Sequence, residues 1–305
     1  MAQNSLSDIA QAAAQYAHAH FHAGDTQTPA QWSVPVDEHH QIGMTRNAHD
    51  GSIVFSAWRH AFGDAPGFDD PQGEALLRRS FDTRLAAGLI GGISPELGPC
   101  LSLPLFAACD AQALHDIAEY LLRTLDHLQH YEPQATPSAP PLPRGPQGDA
   151  RQAERDLARL ALACGLEALP AGARQFDLLF DDLPGRVTLH PGNRLLVTDF
   201  FLHDGAALQG SLRRAVIKSA LLINQNALRG HAYVAALDSR QFFTATGRIA
   251  LERLDDDTWP RWLQYQVTQA LDTRALVRGL ALEGAQISYG APAAATGAPL
   301  PGALA

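Results

Sequence analysis

Thirteen histidines offer this 305-residue chain its clearest means of holding a metal or moving a proton. The densest group is His18, His20 and His22, with His39, His40 and His49 further on. On a helix His18 and His22 share a face, the spacing a metal site needs. His20 then points the opposite way, and no acidic residue stands ready to orient the imidazoles. The expectation is a solvated helix end. Asp181-Asp182 and Asp255-Asp256-Asp257 are carboxylate runs, yet both sit where turns are expected, and Asp is an ordinary turn residue. Cys100, Cys109 and Cys164 show no CxxC spacing, and an odd number cannot form a complete disulfide framework. They read as small, reduced core residues. No serine sits in a GxSxG elbow, no GxxxxGK[ST] occurs, and no GxGxxG follows a strand. The residues therefore point to no enzyme, no cofactor and no metal. A hydrolase or metal enzyme using the histidines is the competing class, and stoichiometric metal on the purified protein would favour it.

Binding chemistry has better candidates. Phe200-Phe201 and Phe242-Phe243 are adjacent aromatics on expected strands. Neighbours on a strand point to opposite faces, so one of each pair leaves the face its neighbour occupies. If that second face is open, a Phe lines a groove for a partner. Val234 and Leu237, on the strand before Phe242, join this candidate set. Arg78, Arg79, Arg213 and Arg214 could meet an acidic partner, although helix arginines are ordinarily just solvated.

The elements that must position these residues follow from composition and pattern. Hydrophobic residues make up 46%, charged residues 18%, and the formal net charge is −9. That is enough apolar material for packed cores in two domains. The negative balance argues against nucleic acid or an anionic membrane surface as partner. No secretory signal or membrane-spanning run is visible, so a cytoplasmic location is expected.

Helices are expected at Leu6–His22, Gly73–Ile90 and Asp110–Leu128, then at Arg151–Leu166, Ser211–Leu228 and from Thr258. Strands are expected at 31–37, 41–46, 51–58 and 99–106, then at 175–180, 186–189, 194–202, 232–237 and 242–251. Pro184-Gly185, Pro191-Gly192 and His49-Asp50-Gly51 read as turns. Residues 132–149 hold six prolines in 18 positions, the composition of an extended linker. The predicted organisation is a first domain at 1–131, a linker at 132–149, a second domain at 150–278 and a disordered tail at 279–305.

Both halves share one plan. The fold class expected is α+β: two similar domains, each helix, three-stranded antiparallel meander, helix, strand or strands, helix, packed as a pseudo-dimer. Leu77-Arg78-Arg79 reads as the match of Leu212-Arg213-Arg214, and the first half reads as lacking one late strand. Leu85, Leu89 and Ile90 in one expected middle helix, and Leu221, Leu222 and Ile223 in the other, are too apolar around the circumference for one-sided packing. They are expected at a seam between the halves.

At Phe176–Asp182, Val187–Val197, Leu221–Leu228 and Tyr233–Asp238 the second half resembles the class I type III secretion chaperones, the Tir-chaperone-like family. The resemblance covers about 151–274. It implies a non-enzymatic protein that holds an extended segment of a secreted effector in an export-competent form, a role tied to virulence. The implied partners are the effector and, secondarily, the secretion ATPase. A tandem pair implies a covalent pseudo-dimer. A regulatory or scaffolding adaptor of the same fold, binding another cytosolic protein, is the alternative.

Overall fold

The computed structural model describes residues 5–21, 31–46, 52–59, 70–85, 88–94, 96–105, 109–130, 149–190, 195–227 and 233–290. The first half contains α1 (Leu6–Phe21), β1 (Gln31–Pro35), β2 (His40–Arg46), β3 (Ile53–Arg59), α2 (Asp70–Asp82), β4 (Ile90–Ser94), β5 (Gly98–Leu105) and α3 (Ala111–His130). The second contains α4 (Ala150–Ala163), β6 (Gln175–Phe180), β7 (Leu183–His190), β8 (Leu195–Asp204), α5 (Gly210–Ala227), β9 (Tyr233–Leu237), β10 (Phe242–Ala250) and α6 (Thr258–Gly290). The strands form two antiparallel five-stranded sheets, ordered β1-β2-β3-β5-β4 and β6-β7-β8-β10-β9. The order is the same in each half.

Local chemistry explains most boundaries. The Ser5 hydroxyl accepts from Asp8 N and donates to the Asp8 carboxylate, closing the first turn of α1. Asp110 caps α3 by accepting from Ala113 N, and Asp149 caps α4 by accepting from Arg151 N. Asp255 accepts from the backbone of Asp257 and Thr258 at the start of α6. On β6 exposed Gln175, Asp177 and Leu179 alternate with buried Phe176 and Leu178, the period of two that a half-covered strand shows.

Four expectations are corrected. The helix expected at Gly73–Ile90 is α2, which ends at Asp82, and Ile90 opens β4. The first half therefore has both late strands, and Leu85, Leu89 and Ile90 are not helical. Gly91 and Gly92 lie inside β4. A Cβ on Gly91 would fall 2.6 Å from Leu76 O, so the glycine is there to let α2 press onto the strand. Pro184-Gly185 is inside β7; the turn is at Asp181-Asp182, with Asp181 left-handed at φ 53°. Residues 279–290, expected in the tail, continue α6.

The fourth correction is the match between halves. Ile90 pairs with Ser102 and Val234 with Thr246, so the second half is displaced by 144 residues (234 less 90, 246 less 102). Carried onto the helices, that shift sets Leu77 against Leu221 and Ser80 against Asn224, all four buried. The match of Leu77 with Leu212 fails. The turn at 49–51, Pro191-Gly192, residues 132–148 of the expected linker and residues 291–305 lie outside the described residues.

The core is one connected cluster running from Ile9 and Phe55 through Leu77 and Leu121 to Leu221, Phe243 and Trp259. The middle helices are shared. Helix α2 packs on β4 and on β9; α5 packs on β9 and on β4. A small separate cluster joins Val54 and Ile90 to Val234, strand against strand across the seam.

Candidate functional site

Each sheet has two edges, and they differ in cover. The β4 and β9 edges lie beneath the middle helices. Buried Asn224 on α5 donates to Ala235 O on β9 and Gly91 O on β4, at 2.8 and 2.7 Å, and accepts from Ala235 N at 2.7 Å. The β1 and β6 edges end their sheets. Strand β1 is five residues long and finishes at Pro35, which has no N–H to offer a further strand. Strand β6 is six residues long and contains neither proline nor lysine. An edge without those devices is a template for another strand.

Side chains around β6 fit that difference. Leu179, next to its last residue, is 70% exposed. Among the described residues the exposed large apolar side chains are Leu162, Leu179 and Leu276, on α4, β6 and α6, all in the second half. Helix α4 packs on β7, the neighbour of β6. Helix α6 is tied to the β6–β7 turn: Arg274 donates to Asp182 O and to its carboxylate, and Arg278 reaches the other carboxylate oxygen at 3.3 Å. These guanidinium bonds, Arg274's first, hold the Asp182 carboxyl below its ordinary range.

The face carrying Leu179 continues across the sheet in register. Asp177 lies opposite Arg186, Arg186 opposite Asp199, and Asp199 opposite Thr246. Arg186 Nε donates to Asp177 at 2.7 Å. Asp199 is buried; it accepts from Thr246 at 2.8 Å and from Arg84 of the first half at 2.9 Å. The Arg84 guanidinium also lies 3.5 Å over the Phe81 ring. Beside this charged row Leu179 pairs with Pro184. Further along, Phe201 and Phe242 meet edge to face at 6.4 Å, and Arg240 stands within 6 Å of both rings.

The candidate residues from sequence divide accordingly. Phe201 and Phe242 are half-buried. Phe200, Phe243 and Leu237 lie in the core at 0–2% exposure and are removed from the binding set, because the helices cover their face. Val234 packs on Ile90 at the seam. Of the expected seam residues, Ile90 meets Val234, and Leu221 is fully buried on α5 where that helix crosses β4. Leu89 is buried, while Leu85, Leu222 and Ile223 are half-buried. Leu179, Arg84, Asp199 and Asn224 were missed. For Leu179 the signal was present: it breaks the polar alternation of Gln175 and Asp177.

The chemically suggestive residues are tied up locally. His40 sets one ring nitrogen 3.0 Å from Asp37 and the other 3.1 Å from Asp126. The His20 ring lies tilted against Tyr16 with centroids 4.3 Å apart, and His22 and His49 lie outside the described residues. Burial pushes the Cys100 thiol up to about 12 and Cys109 to about 11; Cys164 is raised for the same reason. Such thiols are poor nucleophiles. Among the described residues no group of three His, Cys, Asp or Glu is placed to hold a metal, and no helix is long and apolar enough to cross a membrane.

No family model and no curated sequence matches this chain. Among solved structures it is similar to the ExsC-ExsE complex at 18% identity and a TM-score of 0.35, covering 41% of this chain and 93% of the other. The HopA1-SchA chaperone-effector complex matches at 14% identity and 0.34, covering 41% and 95%. The Yersinia pestis type III secretion chaperone SycH, in complex with a stable fragment of YscM2, matches at 14% and 0.29, covering 40% and 98%.

Proposed function

We propose that this chain is a non-enzymatic, chaperone-like holder of an extended protein segment, that the segment belongs to a type III secreted effector, and that it is taken up along β6. The observation carrying this reading is the β6 edge, free of proline and lysine, with Leu179 exposed near its end. Strand addition there supplies main-chain hydrogen bonds, and Leu179, Leu162 and Leu276 supply apolar contact beside them. The proline-terminated β1 edge of the first half offers no equivalent, so capture belongs to the second half. The two halves act as a covalent pseudo-dimer in which the first completes the packing of the second. The cytoplasm, before export, is where such a holder works.

The test is affinity capture of the tagged protein from a secreting strain, beside Leu179→Lys. The wild type should retain a secreted protein whose export falls when the gene is deleted. The variant should lose at least about tenfold of that capture, through a charge on the apolar contact. Its own melting temperature should barely move, since an exposed substitution costs within about 0.5 kcal/mol. Unchanged secretion on deletion, or full capture by the variant, overturns the reading.

A further inference from the structure

We propose that the seam between the halves is a directed interface, built to accept the unlike half and to reject a second copy of the same half, so that the chain closes on itself as a monomeric unit. The inference rests on the two-half organisation and is independent of what β6 binds. It follows from asking what each cross-seam contact would become if like halves met, using the shift of 144 residues for the helices and late strands and the 143 that the pairing gives between β3 and β8.

Arg213 on α5 donates to Glu74 on α2 at 2.6 Å. The counterpart of Glu74 is Lys218, so two second halves would set Arg213 against a lysine. Arg84 donates to buried Asp199. Asp199 lies opposite Thr246 as Ser56 lies opposite Ser102, so Ser56 is its counterpart. Two first halves would give Arg84 a serine. Two second halves would offer Asp199 position 228, a leucine, and leave a buried carboxylate without its guanidinium.

The Arg248 side chain fills the space over Gly88, where a Cβ would fall 1.3 Å from Nη1. The counterpart of Gly88 is Ala232, which carries that Cβ. Finally, Ser80 accepts from Gly91 N as Asn224 accepts from Ala235 N. Only the asparagine also has an amide to reach across to Gly91 O. One buried asparagine is an attested means of fixing partner and register. Four contacts thus favour the unlike pair; three of them turn unfavourable or vanish in a pair of second halves, and the Arg84–Asp199 and Asn224 contacts vanish in a pair of first halves.

The experiment starts from the full chain with a protease recognition sequence inserted between α3 and α4. The folded protein is cleaved, unfolded in urea and refolded, and native mass spectrometry reads which halves pair. Only the unlike 1:1 pair should form; a mixture of like and unlike pairs overturns the proposal. A second measurement uses the intact chain. Glu74→Lys should lower its melting temperature and Glu74→Lys/Arg213→Glu should recover part of the loss. Melting unaffected by Glu74→Lys, or no recovery in the double variant, overturns it as well. The intact chain should run as a monomer by light scattering, and a dimer would contradict closure within one chain.

Discussion

At the scale of single residues, two buried positions carry a disproportionate share of the seam. Gly88 has φ of 70° and no room for a Cβ beneath Arg248. Gly88→Ala meets strain and a clash together, and should cost at least about 3 kcal/mol in denaturant unfolding. Asn224 satisfies three backbone groups. Asn224→Ala leaves Gly91 O, Ala235 O and Ala235 N short of partners in a dry site, and should cost about 3 kcal/mol or more. Asn224→Ser keeps the bond Ser80 shows to be possible at this position and should cost less. Equal losses from the two Asn224 variants would mean that the bond accepted from Ala235 N contributes nothing. Neither residue announces itself in sequence. Gly88 falls inside the helix expected at Gly73–Ile90, and the partner of Asn224 on β4 lies 133 residues away.

At the scale of elements, legibility tracked how local the cause was. Strand β6 and the starts of α3 and α6 were readable, because alternation and capping act within a few residues. Strand β4 was not. Ile90-Gly91-Gly92-Ile93 looks like the end of a helix, and its reason for being a glycine-rich strand is the close approach of Leu76 and of α5. The turn at Asp181-Asp182 is legible as an aspartate turn, but Pro184-Gly185 also reads as a turn and instead lies inside β7, so the expected turn is too long. Helix α6 makes a testable element. Asp182 holds it through Arg274 and Arg278, and Asp255 caps its start, bonded first by the Thr258 hydroxyl and then by backbone amides. Both carboxyls are held below their ordinary 3.8, so both bind protons more readily when unfolded. Their contribution is complete above the ordinary value and is lost as pH falls through the lower folded values. Asp182→Asn/Asp255→Asn should flatten the acid limb of the stability profile below about pH 4 and leave its shape at neutral pH unchanged. An acid limb as steep as that of wild type would show that α6 is held by something else.

At the scale of the whole molecule, duplication alone would predict two cores that melt separately. The packing predicts otherwise. Neither middle helix belongs to one half: α2 presses on β9 as well as β4, and α5 on β4 as well as β9. Opening the seam would expose Leu221, Ile90 and Val234 and would strip Asp199 of Arg84. A buried carboxylate that loses its partner costs several kcal/mol, and the exposed apolar area adds to that. Each half separated from the other is thus short of both core and charge partners, and no half-folded state should be populated. Calorimetry of the intact chain should therefore give one transition, with van't Hoff and calorimetric enthalpies agreeing. Glu74→Lys should move that single transition down without splitting it, because the seam fails together with the cores it joins. Two resolved transitions in the wild type would mean that the halves are independent domains, and that the first does not complete the packing beneath β6.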